Sequence, residues 1–532
     1  MTYNLADLFE SLADARPDNI ALVSGSSRQT FAEVDRRATR LAHHLQAAGV
    51  GPGSHVGLQT YNGHEYLEAM IACFKLRAVP ININYRYVAH ELIYLYDNAD
   101  LVGLVFQQEL GVEVAKALAE CPGVTCLIEL QDDSGVEHGV AATGYEDALA
   151  NGSEARDFAP RTNDDLFIVY TGGTTGMPRG VMWRHEDLFF AGLQGGAPGG
   201  DPVERPEQVA ENAEEEGLVI HPAAPLIHGS SMFASWICWF TAGKVVLVPG
   251  RSFDAVRSVA LIDEEELNVI NLVGDAMALP LLDALEAHDT EADSMVTISS
   301  AGAILSGAIR ARLVQRLPCC MIMNNFGASE TGHQGTAFYE DEEDEDAKPI
   351  WVMGEHTHVI DDDGTPVEPG SGQVGWLARS GYMPLGYYGD EEKTAKTFKR
   401  VGGTRFVIPG DRALVNEDET ITFLGRGAVC INSGGEKVYP EEVEEALKAH
   451  TAVFDAIVVG VPDQRWGERV EALVQLKQGA SAATDELEAH VRTKVAGYKT
   501  PRAFHVLASL ERQPSGKPDY TWAKAKARTL ST

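Results

Sequence analysis

Positive charge is scarce in this chain. Forty-three lysines and arginines stand against 78 aspartates and glutamates, for a formal net charge of −35. That sign repels phosphate backbones and anionic bilayers, so no nucleic acid and no anionic membrane surface is expected as the main partner. Solubility in high salt is one use open to such a surface. Long apolar runs are also missing: the longest, residues 232–243, is about half of the ~20 positions a membrane helix needs. Residues 1–16 carry Asp7, Glu10 and Asp14 and no continuous apolar core, unlike a secretory signal. No integral membrane segment is expected, and a cytoplasmic location is. Cysteine is sparse as well. The seven, at 73, 121, 126, 238, 319, 320 and 430, form no C-x-x-C pair and have no histidines at zinc-site spacing, so they read as reduced core residues. The acidic run EDEEDED at 340–346 lacks the glycine and spacing of a calcium loop and reads as a solvated loop.

What is present is a globular composition, 44% hydrophobic and 23% charged, on 532 residues, enough chain to bury a large core. Apolar runs alternate with amphipathic stretches at 101–106, 112–119 and 124–130, at 244–248, 253–263 and 269–273, and at 296–300, 306–316 and 320–324. This is βαβ arithmetic, and it predicts an α/β fold of parallel sheets flanked by helices. After about residue 350 the texture changes to short strands broken by Asp363-Gly364 and Pro369-Gly370 turns. The expected organisation is a large N-terminal domain of stacked βαβ sheets over 1–424, with a small β-rich subdomain at about 350–424. A glycine-bearing hinge follows at 425–428, and then a small mobile α+β C-terminal domain over 429–532. No internal repeat is visible.

Four motifs carry chemistry. Residues 171–180 read TGGTTGMPRG after the buried-strand run 166–170. Glycines let backbone N–H groups approach an anion closely, Thr171, Thr174 and Thr175 add hydroxyl donors, and Arg179 adds a fixed cation. The loop suits a polyphosphate, or alone a surface turn, and it has no Walker A spacing. The sequence NFGASET at 325–331 follows a predicted strand. Its Glu330 could hold a Mg²⁺ that bridges phosphate oxygens, or be a capping or surface acid, and Phe326 offers a flat face to a purine. Asp411, after Ile408-Pro-Gly, could accept hydrogen bonds from both ribose hydroxyls, or be a plain turn aspartate. Lys517, in Pro514-Ser-Gly-Lys, stands on a tight turn near the chain end, where a surface lysine is the ordinary explanation. The G-x-G-x-x-G match at 370–375 precedes strand-like Trp376-Leu-Ala, so it fails the dinucleotide context test.

In this order and over this length, the four motifs resemble the adenylate-forming superfamily of acyl-CoA synthetases, firefly luciferase and peptide-synthetase adenylation domains. Gly425-Arg426 and Ser433-Gly-Gly-Glu-Lys-Val-Tyr-Pro440 add to the likeness, which spans essentially the whole chain. The resemblance implies that Thr171, Gly172, Gly173, Thr174, Thr175 and Gly176, with Arg179, hold the β- and γ-phosphates of ATP. It implies that Asn325, Phe326, Gly327, Ala328 and Ser329 frame the adenine, and that Glu330 binds Mg²⁺. Gly302 and Ala303 would line the adenine and acyl pockets, Asp411 and Arg426 the ribose, and Lys517 the α-phosphate and carboxylate. His228 matches a gating position between acyl and nucleotide pockets. Gly434, Gly435 and Glu436 match the pantetheine channel of CoA.

The implied activity is an ATP-dependent acyl-CoA ligase that forms an acyl adenylate and then a CoA thioester, releasing AMP and pyrophosphate. Arg179 replaces the usual loop lysine, Ser329 the usual threonine, Pro409 a threonine, and Ala428 with Val429 the expected hinge residues. These departures keep open a catalytically silent acyl or nucleotide binder, and the acceptor could be a carrier-protein thiol or an amine. Residues 229–239 contain no acid to pair a substrate amine. Small residues at 229, 230, 231, 301, 302 and 303 leave room for a large hydrophobic carboxylic acid. The phrases at 81–87, 180–184, 429–432 and 516–520 look similar to actinobacterial ligases of long-chain or steroid side-chain acids. The assembly is open, with a homodimer as one candidate.

Overall fold

The computed structural model describes residues 1–150, 152–172, 177–302, 305, 307–339, 350–426, 431–511 and 518–531. Gly173, Thr174, Thr175, Gly176, Ala303, the acidic run at 340–346, the hinge positions Ala428 and Val429, Cys430 and Lys517 lie outside the described residues. The expected α/β architecture is present. An eight-stranded sheet holds the parallel strands His55–Gln59, Val79–Asn82, Leu101–Gln107, Cys126–Leu130 and Leu166–Gly172. Residues of its central strands His55–Gln59 and Val79–Asn82 are buried throughout, as in a sheet covered on both faces. A second sheet runs parallel through Val219–Pro222, Val269–Leu272, Thr297–Ala301 and Met321–Ala328, then turns antiparallel.

The β-rich segment after 350 is joined to the second sheet. Strand Ile350–Met353 pairs with Gly332–Tyr339 on one side and Ile421–Arg426 on the other, which extends the second sheet. An exposed edge leaves a row of unpaired N–H and C=O groups, and continuing the ladder satisfies them. Cys319 is exposed and so is not a core residue; the other five cysteines among the described residues are buried and unpaired. The C-terminal segment forms its own five-stranded sheet around the hairpin Val453–Asp463 and Gly467–Leu476, with helices Pro440–Lys448, Thr484–Arg492 and Tyr520–Leu530. No helix among the described residues is long and apolar enough to cross a membrane.

Between the first two sheets lies an aromatic core in which helix Gly229–Phe240 is central. Trp236 and Trp239 on it pack against each other at 5.2 Å, and Phe9 meets Trp239 at 4.8 Å. Trp239 Nε1 donates to Ala21 O at 2.9 Å, so the ring's one polar atom is satisfied. Helices Leu5–Ala15, Phe31–Ala47 and His64–Lys75 close over this core and are tied by a buried lysine. Lys75 Nζ donates to Glu10 Oε1 at 2.5 Å and Asp35 Oδ1 at 2.7 Å with no exposure of its side chain. Arg161 and Arg156 complete the network through Asp7, Glu10, Asp14 and Asp35. Removing one partner from such a cluster leaves buried charge uncompensated, at about 3–5 kcal/mol. Lys75→Met should therefore lower the thermal unfolding midpoint by several degrees in calorimetry, whereas Arg205→Met, at an exposed ion pair, should leave it unchanged.

Candidate active site

Strand Leu166–Gly172 pairs antiparallel with Pro178–Arg184, and the register sets Thr171 opposite Arg179 and Gly172 opposite Pro178. The two rails thus hold the ends of the Gly/Thr loop side by side. At Gly180 any side chain would be excluded, because a Cβ would stand 2.6 Å from Ile168 and 2.7 Å from Tyr170. Arg179 Nε donates to Asp390 Oδ2 at 3.0 Å, which fixes the guanidinium.

A buried asparagine fixes this strand to the rest of the site. Tyr170 N–H donates to Asn82 Oδ1 at 2.7 Å, and Asn82 Nδ2 donates to both Tyr170 O and Ile227 O at 2.8 Å. Ile227 precedes His228, the residue that opens helix Gly229–Phe240. The loop strand and the His228 turn are therefore held at one separation by a single side chain.

The motif at 325–331 lies in a β-hairpin: strand Met321–Ala328 runs further than expected, and returns as Gly332–Tyr339. Ser329 O accepts from Trp183 Nε1 at 2.9 Å, which ties the turn to the Pro178–Arg184 rail. Glu330 Oε1 accepts from Tyr387 Oη at 2.9 Å. Phe326 packs on Phe423 at 4.9 Å and Trp351 at 5.7 Å and turns its remaining surface to a cavity. Asp411 and Arg426 face each other in the register of the hairpin Asp411–Val415 and Ile421–Arg426, so the two expected ribose ligands share one end of it.

The cavity measures about 1000 Å³. Thr171, His228, Gly302, Asn325, Phe326, Gly327, Ala328 and Ser329 line it near the loop, and Leu218, Ile220, Phe233, Ile237, Met321 and Phe338 line an apolar far end. Between the two runs a hydrogen-bonded belt. Ser230 Oγ donates to Asn271 Oδ1 at 2.9 Å, Asn325 Nδ2 to Ser299 Oγ at 2.8 Å, and Thr336 Oγ1 to Asn325 Oδ1 at 2.9 Å. His333 Nε2 meets Thr336 Oγ1 at 2.9 Å; burial first, and Arg379 second, push its pKa down to about 4, so this ring is neutral. Ser231 departs from expectation: it is fully buried in the core and adds no room to the cavity. Arg179, Glu330 and Asp411 are not among the residues that line it.

The C-terminal sheet contributes residues 434–436, the turn between strands Ile431–Ser433 and Glu436–Val438. Gly435 has φ +84°, and a Cβ there would lie 2.3 Å from Val273 Cγ1, so only glycine lets the turn press against the large domain. Glu436 is buried, accepts from His228 Nε2 at 3.1 Å, and pairs with Arg86. Burial alone would raise its pKa, but His228, Arg86 and Lys499 outweigh it and hold the carboxyl at about 2. Asn82, Arg86 and Tyr387 lie outside the four motifs; Asn82 and Arg86 fall within the phrase at 81–87, and a polar Asn inside the apolar run 79–83 is a further signal for Asn82.

Residues 9–388 match the AMP-binding enzyme family, and residues 442–517 match the AMP-binding enzyme C-terminal domain. The chain belongs to this family. It is 47% identical over 534 residues to the 3-oxocholest-4-en-26-oate–CoA ligase of Rhodococcus rhodochrous, covering 98% of this chain and 96% of that one. It is 43% identical over 533 residues to the medium/long-chain-fatty-acid–CoA/3-oxocholest-4-en-26-oate–CoA ligase of Mycolicibacterium smegmatis, covering 98% and 96%. Its close relatives are thus acyl-CoA ligases. Among solved structures, the amide bond synthetase McbA of Marinactinospora thermotolerans superposes with a TM-score of 0.81 at 22% identity, covering 99% of each chain. The o-succinylbenzoate CoA synthetase MenE of Bacillus subtilis gives 0.79 at 22%, covering 97% and 98%. These two likenesses establish the shared fold.

Asn82→Ala would strand a buried N–H and two carbonyls, at about 1–3 kcal/mol for each unsatisfied group. The expected outcome is a loss of nucleotide affinity of at least about tenfold, read by calorimetric titration, with the far-ultraviolet spectrum preserved.

Proposed function

We propose that the protein is an ATP-dependent acyl-CoA ligase that activates a hydrophobic carboxylic acid as its acyl adenylate and passes the acyl group to the thiol of CoA. The observation that carries this reading is one cavity with three borders: the rails of the Gly/Thr loop and the Phe326 hairpin at one end, an apolar floor at the other, and the 434–436 turn seated at their junction.

A carboxylate is a weak electrophile toward a thiol. In the first half-reaction its oxygen attacks the α-phosphorus of ATP, and the bond to the bridging oxygen breaks so that pyrophosphate leaves with the electron pair. The loop N–H groups and hydroxyls at 171–176 and Arg179 would hold the β- and γ-phosphates, and Lys517 would neutralise charge at the α-phosphate and carboxylate. Asp411 and Arg426 would take the ribose, and Phe326 the adenine. Glu330 suits Mg²⁺, an ion that keeps several waters and takes few protein oxygens beside those of phosphate, and its Oε1 is already oriented by Tyr387. When bound, Mg²⁺ would supply charge neutralisation on the phosphates.

In the second half-reaction the thiol attacks the acyl carbon, loses its proton, and AMP departs with its oxygen. The turn at 434–436 would border the path of the thiol, so the C-terminal domain, hinged at 425–428, would present Lys517 for one step and this turn for the other. The apolar far end and the absence of any acid on helix Gly229–Phe240 support an uncharged, hydrophobic acyl chain. The two relatives' substrates, a steroid side-chain carboxylate and medium or long fatty acids, fit that chemistry. We place the enzyme in the cytoplasm, where ATP and CoA are available.

A panel of fatty, aromatic and steroid acids should release pyrophosphate only with the hydrophobic members and in the presence of Mg²⁺, with the CoA thioester seen by mass. Lys517→Ala should reduce adenylate formation by about 10²–10³-fold, the scale of removing one transition-state donor. Unchanged adenylate formation in that variant would refute the role of Lys517. Gly435→Ala forces a side chain into a strained φ, at about 1–3 kcal/mol. It should slow thioester formation from preformed acyl adenylate while adenylation proceeds at the parent rate.

A further inference from the structure

Lys499 is a second buried lysine, and it joins two units. Its Nζ donates to Glu91 Oε1 at 2.7 Å and to Glu442 Oε1 at 2.6 Å, with 4%, 2% and 8% exposure of the three side chains. Glu91 stands in the first turn of helix Ala89–Asn98 in the large domain, and its other oxygen accepts from Val88 N–H at 3.2 Å, which fixes the carboxylate to its own helix. Glu442 stands on helix Pro440–Lys448, in the same C-terminal unit as Lys499. The ammonium lies 5.0 Å from the centre of the Tyr87 ring and 5.7 Å from that of Tyr498, one aromatic from each side of the interface. Asn84 Nδ2 reaches Tyr498 Oη at 3.4 Å, and Arg86 reaches Glu436 next to it.

The pairing is asymmetric. Lys499 and Glu442 travel together when the C-terminal unit turns, because both belong to it, whereas Glu91 stays behind on the large domain. The bond from Lys499 to Glu91 therefore exists only in the orientation described here, the one in which residues 434–436 touch Val273 and His228. A buried, hydrogen-bonded ion pair that forms in one orientation alone biases the equilibrium toward it by its differential free energy. Burial makes that bias larger than an exposed pair could supply.

We propose that Lys499 is a positioning residue: it clamps the C-terminal unit to helix Ala89–Asn98 and so holds the 434–436 turn at the cavity for thiol transfer, without serving adenylation. This rests on the acyl-CoA ligase reading.

Full-length Lys499→Met and Glu91→Gln separate the half-reactions. Glu91→Gln removes the negative charge that pairs with Lys499 across the units while leaving the Lys499–Glu442 pair, so the C-terminal unit keeps its fold. Both variants should slow single-turnover thioester formation by tenfold or more, with pyrophosphate release in the first half-reaction at or above the parent rate. The double variant should be no slower than Lys499→Met alone. Amide hydrogen exchange over residues 84–98, read without substrates, should quicken in both variants, and this arm tests the clamp whether or not an acid substrate has been found. Equal slowing of both half-reactions, an unchanged thioester rate, or unchanged exchange over 84–98 in Glu91→Gln would overturn the proposal. A parent protein that forms neither pyrophosphate nor thioester from any acid would instead overturn the ligase reading.

Discussion

Three hydrogen bonds of Asn82 set the distance between the strand that leads into the Gly/Thr loop and the turn that carries His228. Everything on the cavity's near side is referenced to that distance: Thr171 follows Tyr170 by one residue, and His228 follows Ile227 by one. A backbone carbonyl left unpaired here, among buried side chains, would be costly, and an amide side chain offers both donor and acceptor, so asparagine can bridge two main-chain segments where an apolar residue cannot. The hairpin from 166 to 184 then passes the constraint on through the Trp183 bond to Ser329, bringing the turn after Phe326 into the same frame.

Around this frame the scarce cations are placed with economy. A chain with a net charge of −35 has many carboxylates to hold and few partners for them, and several of its lysines and arginines sit inside the structure. Lys75 joins three helices over the core, Arg86 fixes Glu436 at the cavity, and Arg179 is oriented by Asp390 at the base of the loop. Buried pairs of this kind contribute little net stability over apolar packing, but each penalises every arrangement that would separate it. The result is specificity of geometry: the core helices are held in one register, and the orientation that seats the C-terminal turn at the cavity is set apart from any that would break its ion pairs.

The cavity itself divides by polarity. Its loop end is bordered by backbone and small side chains, which suits a polyanion. Its far end is bordered by leucine, isoleucine, methionine and phenylalanine, which suits hydrocarbon. The belt from Ser230 through Asn271, Ser299, Asn325 and Thr336 to His333 is hydrogen-bonded within the wall, so its polar atoms are largely satisfied before any substrate arrives. A chain threading past it meets few donors or acceptors that demand a partner, and this is compatible with selection by shape and apolar area over specific hydrogen bonding.

Local pattern alone carried a large share of this protein. The apolar runs and amphipathic stretches at 101–130, 244–273 and 296–324 became strands and helices within a few residues of expectation, because buried parallel strands and their covering helices leave strong apolar signals. The Gly/Thr loop and the residues at 325–331 were legible for the same reason: their chemistry is written in consecutive positions. Only the folded chain decided what lies between distant segments. Asn82 meets Ile227 across 145 positions, His228 meets Glu436 across 208, and Lys499 meets Glu91 across 408. No periodicity marks such pairs, since each residue alone is an ordinary polar side chain, and its role arises from burial beside one particular partner. The pairing of strand Ile350–Met353 on both sides and the burial of Ser231 in the core were likewise settled by tertiary packing, which decides which edges are continued and which small residues are enclosed.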